Sequence, residues 1–176
     1  MLDNRFYKTE DNSSILGKQQ LQWLKTMLQQ SDATFKIIGL GMQAINPYQE
    51  KESFYQAKKE YEELLQFIKD NKIEGILFLS GDRHFSELNK KSYADLYPLY
   101  DFTISPLSMY PVKKSKAEEA INPNYANSYY SDYNYAKISI AGIHNYRTCT
   151  LEIKDNNGNT IWNYQIKEDI LKFKKE

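Results

Sequence analysis

Apolar positions recur along this chain with two different periods, and the change of period divides it. From Leu16 to Leu28, the residues Leu16, Trp23, Leu24, Met27 and Leu28 share a line with Gln20, and Lys and Gln stand opposite. That spacing marks one face of a helix and predicts a helix over Gly17–Gln30. Good N-cap residues precede it in Asp11–Ser14, and Ser31-Asp32 breaks it. Phe35–Leu40 (FKIIGL) is a short apolar run, read as a buried strand, and Gly41 permits a sharp exit. Asn46-Pro47 marks a turn. A second amphipathic stretch, Ser53–Asp70, places Phe54, Ala57, Tyr61, Leu64, Leu65 and Ile68 on one face. It predicts a second helix, followed by a second buried strand over Ile73–Ser80. Helix, strand, helix, strand suits parallel pairing with helical crossovers.

After residue 97 the period becomes two. Leu99–Ile104 (LYDFTI) reads as a strand ended by Ser105-Pro106, and residues 111–135 are polar and irregular. Lys137–Ile143 and Thr148–Lys154 alternate, Asn156–Asn159 is a strong hairpin signal, and Ile161–Ile166 returns. The last third is therefore expected to be an antiparallel sheet closed by a Lys-rich tail. Met1–Arg5 fits the tail of a strand. The fold class expected is α/β (α+β), with residues 1–176 as a single domain; no repeat or flexible linker splits them.

Charge narrows the functional classes. Lys+Arg and Asp+Glu are both 23, so no electrostatic footprint for nucleic acid or an anionic membrane is expected. The single cysteine, Cys149, excludes an intrachain disulfide and a Cys-based zinc site; inside an alternating strand it reads as a small core residue. No apolar run approaches the roughly 20 residues that span a bilayer, and the N-terminus has no apolar signal region. Tyr125, Tyr129, Tyr130, Tyr133 and Tyr135 lie in a segment rich in Asn and Ser. It reads as an ordered surface loop or insertion, or as a platform for carbohydrate or a partner.

The chemistry concentrates in Gly75–Leu88 (GILFLSGDRHFSEL). A buried strand stops at Ser80-Gly81 and gives way to Asp82 and His84. In an extended segment residues i and i+2 point the same way, and a carboxylate with a neutral imidazole can bind Fe, Mn, Zn or Ca. Arg83 can pair a phosphate or leave the site for a salt bridge. The plainer reading is that Asp82 caps a turn and His84 is a satisfied surface histidine. In open α/β sheets ligands sit beyond the carboxyl ends of the strands, so Gly81–Phe85 and Gly41–Ala44 can share one site. His144, the only other histidine, reads as structural. P-loop, Rossmann, His-Glu-x-x-His and Gly-x-Ser-x-Gly patterns are absent.

Several stretches together resemble the PhoD-like alkaline phosphatases, within the calcineurin-like metallophosphoesterases. Met1-Leu2-Asp3-Asn4-Arg5 is similar to that family's Leu-Asp-Thr-Arg strand end. Leu16–Gln43 resembles its Gly-x-x-Gln helix, Trp-Leu pair and following strand, with Phe35 where the family has Trp. Gly81-Asp82-Arg83-His84 resembles its Gly-Asp-x-His motif, where other calcineurin-like enzymes carry Gly-His-x-His. Leu99–Ser108 and Ala120–Tyr125 resemble the segments that follow, and the order agrees from residue 1 to about 155.

The resemblance implies a fold, an activity and a site. The fold is the C-terminal half of a four-layer αββα sandwich. The activity is metal-dependent hydrolysis of phosphate mono- or diesters. Asp82 and His84 are implied metal ligands, and Arg5 or Arg83 is implied to neutralise phosphate. Asp3, Gln43 and Ser105 are near-site residues. Iron and calcium are the implied metals, with Zn or Mn accepted, and most members are exported. The family's upstream half, with an Asp-bearing first strand and an Asp-Asp-His-Glu type loop, supplies most of the ligands. The expectation is that completion comes from that half or from a dimer partner, and that the chain otherwise exposes a sheet edge. The alternative is a non-catalytic binding or interaction domain that retains the fold.

Overall fold

The computed structural model describes residues 1–48 and 50–174. Helix α1 spans Gly17–Gln30 and buries Leu21, Leu24 and Leu28. Its N-terminus corrects the expectation of a cap from Asp11–Ser14, because no side chain of that turn caps it. Instead Glu60 of α2 (Lys58–Asp70) reaches across. Its carboxylate accepts from the N–H groups of Ile15, Leu16 and Gly17 at 2.8–2.9 Å and from the Ser14 hydroxyl at 2.6 Å. A buried carboxylate thus satisfies the orphan donors of the first turn. The second predicted helix is also shorter than expected. Phe54–Gln56 is a separate 3-10 turn, and α2 begins at Lys58.

Strands β1 (Lys36–Gly39), β2 (Ile76–Ser80), β3 (Glu87–Lys91) and β4 (Leu99–Thr103) form one sheet in the order β1-β2-β4-β3. β1, β2 and β4 are parallel, as the alternation of helices and strands implied, and β3 runs antiparallel to β4. Strands β5 (Asn134–Ala141), β6 (Thr148–Asp155) and β7 (Thr160–Lys167) form the expected antiparallel sheet. Two elements were not anticipated: β3, and a short helix α3 (Lys116–Ile121) inside the segment read as irregular.

Tyr100 and Phe102 of β4 meet Tyr164 and Trp162 of β7, with ring centroids 6.0 and 5.4 Å apart. The second sheet therefore covers that face of the first. Leu79 is paired with Phe102 and Phe78 with Asp101, so Phe78, Ser80, Asp101 and Thr103 share the opposite face. There α1 and α2 deliver Leu24, Leu28, Tyr61, Leu64 and Ile68 into the core. The stack reads helices, sheet, sheet. The described end of the chain closes it: Leu171 is fully buried and its carbonyl accepts from the Gly75 N–H at 3.0 Å. Gly75 has φ +80°, and a Cβ there would stand 2.0 Å from the Thr34 carbonyl oxygen. No other residue fits that turn.

Candidate active site at the strand ends

The parallel strands end beneath two loops, residues 41–53 and 81–86. Gln43 and Ser53 form an isolated bridge within the first. In the second, Asp82 (φ +68°) and His84 (φ +60°) both adopt the left-handed region, one on each side of Arg83. Asp and His tolerate that region better than most residues. Arg83 turns inward and is 8% exposed, Asp82 is exposed and His84 half-buried. All three line a cleft of about 450 Å³ together with Glu50, Lys51, Glu52, Tyr110, Lys113 and Glu118.

His84 is fixed at four points. Its backbone N–H donates to Ser105 Oγ at 3.0 Å, and its carbonyl accepts from the Val112 N–H at 2.9 Å. Its ring packs edge-on against Tyr110, centroids 4.9 Å apart. Nδ1 lies 2.8 Å from the Tyr110 carbonyl oxygen. A carbonyl only accepts, so Nδ1 carries a proton and the neutral ring keeps its lone pair on Nε2. Ser105 thus holds the backbone of the loop. It is held in turn by the Ser86 hydroxyl, which accepts from the Ser105 N–H at 3.0 Å and meets Asn134 Oδ1 at 2.6 Å.

Below the cleft floor lies a buried polar network. Arg83 Nη2 meets Glu118 Oε2 at 2.6 Å, its Nη1 donates to Gln43 Oε1 at 2.9 Å, and the guanidinium lies 5.0 Å over the Phe85 ring. Gln43 is fully buried and uses all its capacity. Nε2 donates to Glu87 Oε1 and Thr103 Oγ1 (both 2.8 Å), and Oε1 also accepts from Asn46 Nδ2 at 2.7 Å. Lys114 Nζ meets Glu87 Oε2 at 2.7 Å, both side chains almost fully buried. Asp101 accepts from the Ser80 hydroxyl at 2.6 Å and from the N–H groups of Ala44 and Ile45. Burial pushes its carboxyl up to about 6, against those hydrogen bonds and with the help of Glu87.

Of the residues singled out in the sequence, Asp82, Arg83 and His84 share the cleft, with Gln43 and Ser105 bonded to them from below. Asp3 and Arg5 stand outside its lining. The Asp3 carboxylate accepts from the N–H groups of Phe6 and Arg5, which holds it below the ordinary carboxylate range. Arg5 pairs with Glu52 on the rim, and Lys8 meets the other Glu52 oxygen at 3.0 Å. Glu87, Lys114, Glu118, Asn46 and Asp101 were missed. For Glu118 a signal existed: Ser115-x-x-Glu118 is a capping-box spacing, and Ser115 does cap α3, accepting from the Glu118 N–H. Glu87 and Lys114 lie in polar runs that carry no periodic signature, whereas Asp101 sits in the apolar run of β4 and Asn46 in a turn, where nothing marked them as site residues.

Asp82 and His84 are donors of the right type for a metal, an oxygen and a neutral imidazole. Their number falls short: among the described residues no group of three His, Cys, Asp or Glu is placed to hold one ion. Two such donors among the described residues are fewer than the three protein ligands of a typical catalytic centre.

A layered sandwich with a polar cleft at the carboxyl ends of parallel strands has the build of a ligand-binding α/β protein. The signature of the PhoD-like phosphatases matches residues 2–156, and the chain belongs to that family. A solved structure titled "Structure of PhoD" superposes with a TM-score of 0.52 at 16% identity, covering 89% of this chain. The chain spans 38% of that structure's length. No curated protein matches.

Proposed function

We propose that this chain forms one wall of a metal-dependent phosphoesterase centre, with Asp82 and His84 as metal ligands and a phosphate mono- or diester as substrate. The observation that carries the reading is the setting of His84. Its Nδ1–H is committed to the Tyr110 carbonyl, which fixes the tautomer and orients the ring, as the outer-shell partner of a metal-ligating histidine does. Nε2 is left to coordinate, in the cleft that Asp82 also lines; the left-handed backbone at both residues replaces the extended alignment expected from sequence. Iron and calcium are the first candidates, with Zn and Mn behind them. A bound metal would polarise the phosphoryl group and acidify a water. The chain's own residues hold the loop and supply charge. Lys51 and Lys113 line the cleft and Arg5 stands at its rim, able to balance phosphate oxygens.

The remaining ligands would come from other polypeptide, a further part of the protein or a second copy. One flank supports this. The Leu2 N–H donates to the Gly39 carbonyl at 2.9 Å, a first rung on the free edge of β1. Beside it Trp23, Met27 and Ile37, each at least 40% exposed, line an apolar groove of about 300 Å³. Such an edge pairs readily with another strand.

A second reading, an interaction domain without catalysis, is favoured by the two-donor count. One experiment tests whether the centre is completed in this chain or between its copies: elemental mass spectrometry of the purified chain and of Asp82→Ala, with a generic phosphate-ester assay on both. Stoichiometric metal and turnover, both lost in the variant, support the centre. Metal-free protein that hydrolyses nothing, even with added Fe, Ca, Mn or Zn, excludes a centre completed by a second copy and leaves an isolated half or the interaction domain.

A further inference from the structure

The resemblance gives Arg83 to the phosphate, but its geometry points to a different job. We propose that Arg83 and Glu118 are positioning residues: their buried ion pair bolts the Asp82–His84 loop to α3 and holds both side chains in the cleft. The inference rests on the reading of Asp82 and His84 as metal ligands.

The loop needs an anchor. Two non-glycine residues with positive φ, separated by one residue, are a disfavoured combination that persists only where the surroundings enforce it. Arg83 is the residue between them, and it points into the protein. Its two Nη groups grip different elements, Gln43 in the loop after β1 and Glu118 in α3. The side chains of Arg83 and Glu118 are 6% and 2% exposed, so the pair is scarcely screened by water. The other Glu118 oxygen accepts from Asn46 Nδ2 at 2.9 Å, and Gln43 continues to Glu87, which Lys114 pairs from the segment leading into α3. The grip is therefore cross-braced between loop 43–46, β3 and α3. A guanidinium that is 8% exposed, with both Nη groups turned to an amide oxygen and a carboxylate and an aromatic ring on its face, is poorly placed to reach substrate, whereas a planar fork suits a strut. α3 is thereby assigned a function: it is the lock on the loop.

The test uses the whole chain and reads the loop directly. Only two histidines are present, and His144 lies in a separate cleft with Glu74 and Glu168. The 15N spectrum of the rings therefore reports His84 with His144 as internal reference. Manganese titration of the same samples reports the site. Arg83→Met and Glu118→Gln are each expected to abolish the Nδ1–H signature of His84 and to weaken Mn²⁺ binding at least about 10-fold. The His144 signals should be unchanged and urea unfolding should stay cooperative, with its midpoint lowered where a buried partner is stranded, and the double variant should be no worse than the worse single one. Arg83→Lys, which keeps the charge but not the fork, should behave like Glu118→Gln, and these two decide the matter if Arg83→Met does not fold. The proposal is overturned if the His84 ring is unaltered in the folded variants. It is equally overturned if Arg83→Lys weakens binding of inorganic phosphate while Glu118→Gln is silent, the pattern of a substrate contact. Wild-type protein that binds no Mn²⁺ would mean that two donors do not hold the ion without the rest of the centre, and the ring spectrum would still decide whether Arg83 and Glu118 hold the loop.

Discussion

Asp101 makes the chain's stability depend on pH in a direction opposite to most carboxylates. It is fully buried on β4, between β2 and β3, and burial raises its carboxyl from 3.8 to about 6. The folded state therefore holds a proton that the unfolded chain has released, so between those values stability falls as pH rises. The contribution is fully present below about 3.8 and is lost by the time pH passes 6. At 1.36 kcal/mol per pH unit, the gap corresponds to about 3 kcal/mol, of which about 2 fall between pH 4 and pH 7. Asp3, Asp11, Asp95, Asp155 and Glu168 are held below their ordinary range and pull the other way. The absolute curve therefore mixes both signs. Asp101→Asn isolates the term, because the amide cannot ionise but can still accept from the Ala44 N–H and donate to the Ser80 hydroxyl. Urea unfolding of both proteins at pH 4, 5, 6 and 7 is the assay. Relative to wild type, the variant should gain about 2 kcal/mol across that range, with the rise centred near pH 5. A difference that stays flat with pH would refute the reasoning, since it would mean that Asp101 ionises as easily inside the fold as outside it.

Two further outcomes follow from the same structure. Glu60→Ala leaves the N–H groups of Ile15, Leu16 and Gly17 without their acceptor; at roughly 1 kcal/mol or more for each stranded donor it should cost about 3 kcal/mol, read as a drop of roughly 10 °C in melting temperature. Lys114→Met strands the Glu87 carboxylate in the core and should cost about 3 kcal/mol in urea unfolding, while Lys114→Met with Glu87→Gln should recover a large part; a double variant as unstable as the single would argue against the pair as the cause.

How much of the protein could be read in advance differs between elements. β1, β2 and β4 are apolar runs, and β5–β7 alternate, because each buries one or both faces against hydrocarbon and so writes its period into the chain. β3 does not. Of its residues Glu87–Lys91, only Leu88 is apolar, and Glu87 and Asn89 are buried for their hydrogen bonds. A strand buried by polar contacts leaves no hydrophobic period to detect. The start of α1 failed for a related reason: the local turn Asp11–Ser14 offered suitable caps, but the acceptor that took the donors is 43 residues or more away, in α2.

The motif Gly81-Asp82-Arg83-His84 was visible because its residues are adjacent, and its place at a strand end followed from the apolar run before it. Sequence thus determined the strand periods, the parallel order, the position of the loop and the family, all of which depend on spacing along the chain. Only the tertiary structure decided what Arg83 does, which tautomer His84 holds and where Asp101, Glu87, Lys114 and Glu118 meet. Those outcomes rest on hydrogen bonds and ion pairs between residues up to 72 positions apart. Their energy depends on burial and on geometry within a few tenths of an ångström, neither of which a linear pattern of residue types encodes.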